Sequence, residues 1–144
     1  MTISFTGLEQ AMQHYPAAVI DEYRHAAEAL RPGMDEVDLF SWAGQGVKIA
    51  EQTIRSWEAA SEFYRVSPEV LQSLTPAQLL DWGGHGANLC RESPTLGLAF
   101  FRASASSVNQ LQPKNIQGWA DLGKGLYRGT WKSGTLAARF FEIS

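Results

Sequence analysis

The stretch LLDWGGHGANLCRESPTLGLAFFRAS, residues 79 to 104, decides the fold because most of its pattern occurs three times in this chain. Each copy has a tryptophan, an apolar residue three positions before it, a glycine four positions after it and another apolar residue seven positions after it. An aromatic pair and then a serine close each copy. The recurring residues are Leu39, Trp42, Gly46, Ile49, Phe63, Tyr64 and Ser67 in the first copy, Leu79, Trp82, Gly86, Leu89, Phe100, Phe101 and Ser104 in the second, and Ile116, Trp119, Gly123, Leu126, Phe140, Phe141 and Ser144 in the third. A period of about forty residues indicates stacked copies of one supersecondary motif.

Helix signals surround these copies. Thr75-Pro76 places an N-cap hydroxyl before a proline at the first helical position, and Ser93-Pro94 repeats that signal before the next helix. Each copy is therefore predicted to be a pair of packed helices. Ser67-Pro68 predicts a short third helix that leads into the next copy.

The predicted fold is all-α: a right-handed-type α-solenoid of about three helical-hairpin repeats with an N-terminal helical cap. A helix with Val19, Tyr23, Ala26, Ala27 and Leu30 on one face belongs to the cap, and Arg31-Pro32-Gly33 ends it. We expect a single domain, residues 1–144, divided into a cap at 1–33 and repeats at 34–74, 75–111 and 112–144, the last of them truncated.

The glycine after each tryptophan shares a helix face with the indole ring. A glycine inside a helix costs up to about 1 kcal/mol relative to alanine, so its recurrence predicts a packing gain. We expect the second helix of each copy to press its small residue, Ala60, Gly97 or Ala137, toward the glycine. The predicted repeat core therefore consists of Trp42, Gly46, Phe63, Trp82, Gly86, Phe100, Trp119, Gly123 and Phe140.

The middle copy is three residues shorter than the others between its tryptophan and its aromatic pair. Three residues are close to one helical turn, so the sequence predicts a shortened helix end. The missing turn falls within residues 90–97.

The amino-acid composition limits the class of protein to which this chain can belong. The chain has 144 residues, of which 44% are hydrophobic and 19% charged, as is typical of one globular domain. Its single cysteine, Cys90, excludes an internal disulfide framework. The first ten residues lack the basic and apolar regions of a secretory signal, and no apolar run reaches the length of a membrane span. We expect a cytoplasmic protein without membrane contact.

The net charge of −3 is unevenly distributed along the chain. Residues 1–72 hold eleven acids and five Lys/Arg, whereas residues 73–144 hold four acids and seven Lys/Arg. Such an imbalance can steer a charged partner toward one end of a molecule.

Catalytic and metal-binding patterns are weak in this sequence. His14, His25 and His85 lack partners at metal-ligand spacing, and Cys90 lies five residues after His85, on another helix face. Lys132-Ser133 resembles the end of a phosphate-binding loop, but Trp131 stands where that loop needs glycine. We expect neither enzymatic activity nor a cofactor, and keep a small-molecule-binding or enzymatic helical domain as the second alternative.

The best candidate for partner binding is the basic and aromatic surface of the last copy, Lys124, Tyr127, Arg128, Trp131 and Lys132. Lys124 and Arg128 are four residues apart and share a helix face. We favour a protein partner, or further domains of the same chain, over nucleic acid because phosphate binding relies on a concentrated positive field. A nucleic-acid-binding helical repeat is the first alternative.

Two further surfaces are candidates for protein contacts. Arg65 and Arg102 take the same place in successive copies, just after the aromatic pair, where solvation accounts for them unless they form a ridge on the second helices. The last copy stops at FFEIS without a polar cap, so we expect a longer protein, and end-to-end association through this end would also cover it. The oligomeric state stays open.

This chain resembles the helical region that precedes the von Willebrand factor A domain in bacterial proteins of the nitric oxide reductase activation protein type. The resemblance is carried by two segments, LLDWGGHGANLCRESPTLGLAFFRAS and GLYRGTWKSGTLAARFFEIS. The resemblance covers roughly residues 16 to 144. It implies a scaffold or adaptor working with an AAA+ ATPase. The metal-binding Asp-x-Ser-x-Ser signature of the A domain does not occur here, so the resemblance assigns no metal ligand to this chain.

Overall fold

The computed structural model describes residues 5–52, 56–129 and 139–141, and every regular element in this part of the chain is helical. The α-helices are α1 (Thr6–Ala11), α2 (Ala17–Leu30), α3 (Glu36–Ala50), α4 (Ser56–Leu71), α5 (Pro76–Glu92), α6 (Pro94–Ser107) and α7 (Ile116–Gly129), with 3-10 turns at Arg31–Gly33, Val108–Gln110 and Pro113–Asn115. The prediction of an all-α protein is confirmed.

Polar side chains cap the start of α3 and, as the Thr75-Pro76 signal predicts, the start of α5. Asp35 caps α3 by accepting a hydrogen bond from the backbone N–H of Asp38 at 2.8 Å. Thr75 and Gln78 form a reciprocal capping box at the start of α5, with N···O distances of 3.2 and 2.9 Å. These bonds satisfy N–H groups that have no partner within the helix.

The prediction of a separate helix after Ser67-Pro68 is wrong, because α4 runs through Pro68 without a break to Leu71. Ser67 is fully buried and is not a cap. Its hydroxyl accepts a hydrogen bond from Trp42 Nε1 at 2.9 Å and donates one to the Phe63 carbonyl at 2.5 Å. The serine of the motif thus accepts the hydrogen bond of the tryptophan N–H and does not cap a helix.

The second copy repeats this arrangement. Trp82 Nε1 donates to Ser104 Oγ at 2.9 Å, and Ser104 Oγ donates to the Phe100 carbonyl at 2.6 Å. Ser93 does precede α6, but within the described residues its hydroxyl makes no capping hydrogen bond. The expected capping role of Ser93 is therefore also wrong.

Each motif glycine makes room for an aromatic ring, and not for Ala60 or Gly97 as predicted, while Ala137 lies outside the described residues. A Cβ atom added to Gly46 would overlap the ring of Tyr64, and one added to Gly86 would overlap the ring of Phe101. In the third copy, Gly123 faces Phe141 in the same way. The prediction of a close approach at the glycine is confirmed, and the residue that enters the space is the second member of the aromatic pair.

The small residue of the second helix has a different neighbour. Gly97 lies against Cys90, where an added Cβ would overlap the sulfur atom. Only Ser93 separates α5 from α6, whereas α3 ends at Ala50 and α4 is described from Ser56. The shortened helix end stays a prediction, because residues 53–55 of the first copy lie outside the described residues. Among the described elements, α5 is longer than α3, with 17 residues against 15, whereas α6 is shorter than α4, with 14 against 16.

A column of stacked rings joins successive helix pairs. An aromatic residue nineteen positions before each motif tryptophan packs on its indole, and Tyr23 of α2 supplies this ring for the first copy. The three contacts are Tyr23 with Trp42, Phe63 with Trp82, and Phe100 with Trp119, at ring-centroid distances of 6.1, 5.6 and 4.9 Å.

The predicted core is buried except at one position. The motif tryptophans and glycines, Phe63 and Phe100 are buried, whereas Phe140 is half-buried. Around this core α4 packs against both α2 and α6, and α5 packs against both α3 and α7.

Candidate partner-binding surfaces

A groove of about 410 Å³ crosses α2, α4 and α6. Four residues of α4 line it at positions i, i+1, i+4 and i+5, which lie on one face of a helix. The α6 residues are also four apart. The lining comprises Pro16, Ala18, Val19, Trp57, Glu58, Ser61, Glu62, Leu98 and Arg102. A second recess of about 240 Å³ shares Glu58 and Leu98 with the groove and extends it to Pro94 and Thr95.

Trp57 forms part of the groove wall and packs against a buried tyrosine. Its ring contacts that of Tyr15 at a centroid distance of 6.3 Å, and Tyr15 is buried. The Tyr15 hydroxyl donates a hydrogen bond to Glu51 Oε1 at 3.1 Å. Burial, followed by this hydrogen bond and the charge of Glu51, raises the pKa of Tyr15 above its usual value. The indole is therefore a supported apolar surface that remains half-exposed.

The groove and its surroundings carry more negative than positive charge. Glu58 is exposed, and Glu62 pairs with Arg65, whose Nε lies 3.0 Å from Glu62 Oε1. The hydrogen bond to Glu62 raises the pKa of Arg65 above its usual value, and the charges of Glu22 and Glu69 add to the effect. Arg65 therefore lies in an acidic neighbourhood, while Arg102 lines the groove. Both arginines of the expected ridge are on the second helices, where Arg65 is engaged by a carboxylate.

The predicted basic surface of the last copy is partly neutralised from within the chain. Lys124 Nζ lies 3.8 Å from Glu92 Oε1, and the guanidinium of Arg128 binds the same carboxylate, with Nε 3.3 Å from Oε2. The Tyr127 hydroxyl donates to the backbone carbonyl of Glu92 at 3.2 Å. These three predicted residues come together around Glu92, where they tie α7 to the end of α5. Trp131 and Lys132 lie outside the described residues.

The first helix pair uses neutral groups at the corresponding place. Gln52 stands ten residues after its tryptophan, as Glu92 does, and its Nε2 donates to the Ala87 carbonyl at 3.3 Å. Gln45 Nε2 similarly donates to the Leu80 carbonyl at 2.7 Å. The contact of α5 with α7 is thus charged, whereas the contact of α3 with α5 uses side-chain amides.

His85 and Cys90 are separated by the fold. His85 is half-buried in a polar recess of about 190 Å³ between α5 and the start of α7, together with Gln78, Asp81 and Lys114. Cys90 is only 2% exposed, and burial raises the pKa of its thiol to about 12. A neutral buried thiol is a poor nucleophile, so Cys90 acts as a small apolar core residue, as expected.

The described residues contain no group of three His, Cys, Asp or Glu side chains arranged to hold a metal ion. A search of the same residues finds no helix with the length and apolarity needed to cross a bilayer.

Comparisons with known proteins do not assign this chain to a family. No family model, curated protein or solved structure matches it.

Of the groove residues, the sequence singled out Arg102 as a candidate contact and Val19 as a core residue, but it did not identify the others as a site. Trp57 carried a signal, because it is a tryptophan outside the recurring positions and lies four residues before Ser61 on a partly exposed helix face. Leu98 and Pro16 have no distinctive pattern, since apolar residues at helix starts are common. Their convergence depends on the packing of α2 and α6 against α4.

Proposed function

We propose that this chain is a noncatalytic protein-interaction or scaffold module, built as a right-handed-type α-solenoid of about three helical-hairpin repeats with an N-terminal cap. The recurrence of one set of contacts supports the repeat architecture: the tryptophan–serine hydrogen bond, the ring over the glycine, and the ring stacked on the next tryptophan. Solenoids of this kind use extended surfaces formed by successive repeats to bind partners.

The groove across α2, α4 and α6 is the observation that carries this proposal. It combines a supported, half-exposed indole with a half-buried leucine, Leu98, and is bordered by charged side chains. Tryptophan and other large apolar anchors dominate the free energy of protein–protein binding, while a polar rim provides orientation. We therefore place the partner-binding site here rather than on the Glu92-paired surface of α7.

The sequence supports a proposal for the cellular setting of this module. Resemblance to the helical region before a von Willebrand factor A domain supports a role as the accessory region of such a protein, working with an AAA+ ATPase. A cytoplasmic location is consistent with the single cysteine. Sequencing of the complete reading frame tests this setting, because an A domain with its Asp-x-Ser-x-Ser signature should be encoded with these repeats.

Selection of peptides from a random phage-displayed library tests the groove directly. Peptides that bind the full chain should lose binding to a Ser61→Arg variant, in which a long side chain enters the groove. They should keep binding to Ser41→Arg, the same change at an exposed position of α3. Peptides that bind all three proteins equally would contradict the proposed site.

A thermal-shift screen addresses the catalytic alternative. We expect nucleotides, metal ions and metabolites to leave the melting temperature unchanged, because a ligand that binds the folded state raises it. Reproducible stabilisation by a small molecule would favour a ligand-binding or enzymatic domain.

A further inference from the structure

We infer that the groove across α2, α4 and α6 binds a basic protein segment, one that carries Lys or Arg side chains beside a single large apolar anchor. This inference rests on the proposed function and adds the chemistry of the partner.

The apolar part of the groove defines the anchor. Trp57 and Leu98 approach from α4 and α6, and Pro16, which directly precedes α2, adds apolar surface. A volume of about 410 Å³ accommodates one large side chain together with part of its backbone. Covering a half-exposed indole removes apolar area from water, and this supplies the non-directional part of the binding free energy.

The charged border of the groove defines the flanking residues. Two carboxylates, those of Glu58 and Glu62, and one guanidinium group, that of Arg102, line the groove, and Glu62 is paired with Arg65. Of these, Glu58 is both exposed and directly in the lining, so it is available to an incoming cation. The acidic excess of residues 1–72 extends the same field over a longer range.

Lysine and arginine suit this combination of surfaces. Their methylene stems cover apolar surface while the charged group reaches a carboxylate. A guanidinium over the face of Trp57 would also gain a cation–π contact. A phosphate backbone or an acidic segment would instead meet the carboxylates of α4, so like-charge repulsion disfavours both.

Arg102 gives the groove a direction. It lines the groove from α6, whereas Glu58 and Glu62 line it from α4. A bound segment should therefore place its cations over α4 and any acidic residue over α6.

The library selection described above identifies the partner class. The peptides that depend on the groove, defined by loss of binding to Ser61→Arg, should be enriched in Lys and Arg and should share one large apolar residue. Binding of individual synthetic peptides should weaken by roughly tenfold in Glu58→Lys, because an attraction becomes a repulsion. Glu58→Gln should produce a smaller loss, and Asp121→Lys, the same charge change on exposed α7, should stay within about twofold.

The possible outcomes test the basic partner and the interaction module separately. Groove-dependent peptides without basic enrichment, or with unchanged affinity for Glu58→Lys, would overturn the basic partner while leaving the interaction module intact. Failure to recover any groove-dependent peptide would overturn both. Circular dichroism of each variant confirms that the helices are retained, and Glu58→Gln provides the charge test if lysine disturbs the first turn of α4.

Discussion

Trp82 Nε1 donates a hydrogen bond to Ser104 Oγ at 2.9 Å across the interface between α5 and α6, and Trp42 makes the same bond to Ser67. All four side chains are fully buried. Each serine hydroxyl also donates a hydrogen bond to the carbonyl four residues earlier in its helix, so it accepts from the indole and has a partner for its own proton. These two bonds explain the serine after the aromatic pair in the first two copies, whereas Ser144 of the third copy lies outside the described residues.

Ser104→Ala should lower the free energy of unfolding by about 1–3 kcal/mol, because it leaves a buried indole N–H without a partner. Urea denaturation followed by circular dichroism measures this. Ser106→Ala, an exposed serine of the same helix, should change stability by less than about 0.5 kcal/mol. Equal effects of the two substitutions would mean that these hydrogen bonds contribute nothing to stability.

Two glycines of α5 should respond to alanine in opposite directions. Gly86→Ala would overlap the ring of Phe101 and should destabilise the protein by about 1–3 kcal/mol, with Gly86→Leu worse. No described side chain lies within 4 Å of a Cβ added at Gly84, so Gly84→Ala should stabilise it by up to about 1 kcal/mol. Melting temperatures of the two variants compare them directly, and an unchanged value for Gly86→Leu would contradict the close approach.

Burial of Cys90 should make stability depend on alkaline pH. Burial raises the pKa of the thiol from its usual value of 9.0 to about 12, so the unfolded chain loses this proton first. Between pH 9 and 12 the contribution of the thiol to stability should therefore fall with rising pH, by about 1.4 kcal/mol for each pH unit.

Cys90→Ala provides the control, since it removes the titrating group but leaves the tyrosines. Urea titrations at pH 8 and above should show a steeper loss of stability in the wild-type chain than in the variant. Parallel pH profiles would show that the thiol does not ionise differently in the folded and unfolded states.

The Glu92 contacts should make the α5–α7 interface sensitive to salt. Glu92→Gln removes the negative charge shared by Lys124 and Arg128, so it should lower the melting temperature at low ionic strength. In about 1 M salt, where the Debye length is about 3 Å, the difference from wild type should shrink.

Gln52→Ala is the matched variant at the equivalent place in the first pair, where a neutral amide makes the contact. Its effect on the melting temperature should be nearly independent of salt. A Glu92→Gln effect that is equally independent of salt would indicate that packing, not charge, holds α7 at this site.

Much of the fold was predictable because its signals are local. The apolar stripe of α2, the cap at Asp35 and the capping box at Thr75 each depend on residues within one or a few helical turns. The prediction of a helix start at Ser67-Pro68 was wrong because a Ser-Pro dipeptide begins α6 but lies inside α4. The hydrogen-bond partner of Ser67 is Trp42, which is 25 residues away in sequence.

Helix α2 makes one of the recurring ring contacts although it lies before the three copies of the motif. Tyr23 takes the place of the first aromatic residue and packs on Trp42, whereas Arg24 stands where the second aromatic residue would enter a glycine gap. Arg24 is exposed. Helix α2 thus keeps the ring that packs on the first motif tryptophan, and it has a charged residue in place of the second ring of the aromatic pair.

The sequence by itself determined the helical class, the recurring motif and the residues that face the core, because helix periodicity and capping are set within a few turns of chain. The tertiary structure alone decided which ring enters each glycine gap, which hydroxyl satisfies each indole and which carboxylate receives Lys124 and Arg128. It also brought Trp57, Leu98 and Pro16 into one groove. Such choices depend on how helices from different copies cross, and residues distant in sequence meet only after that packing has formed.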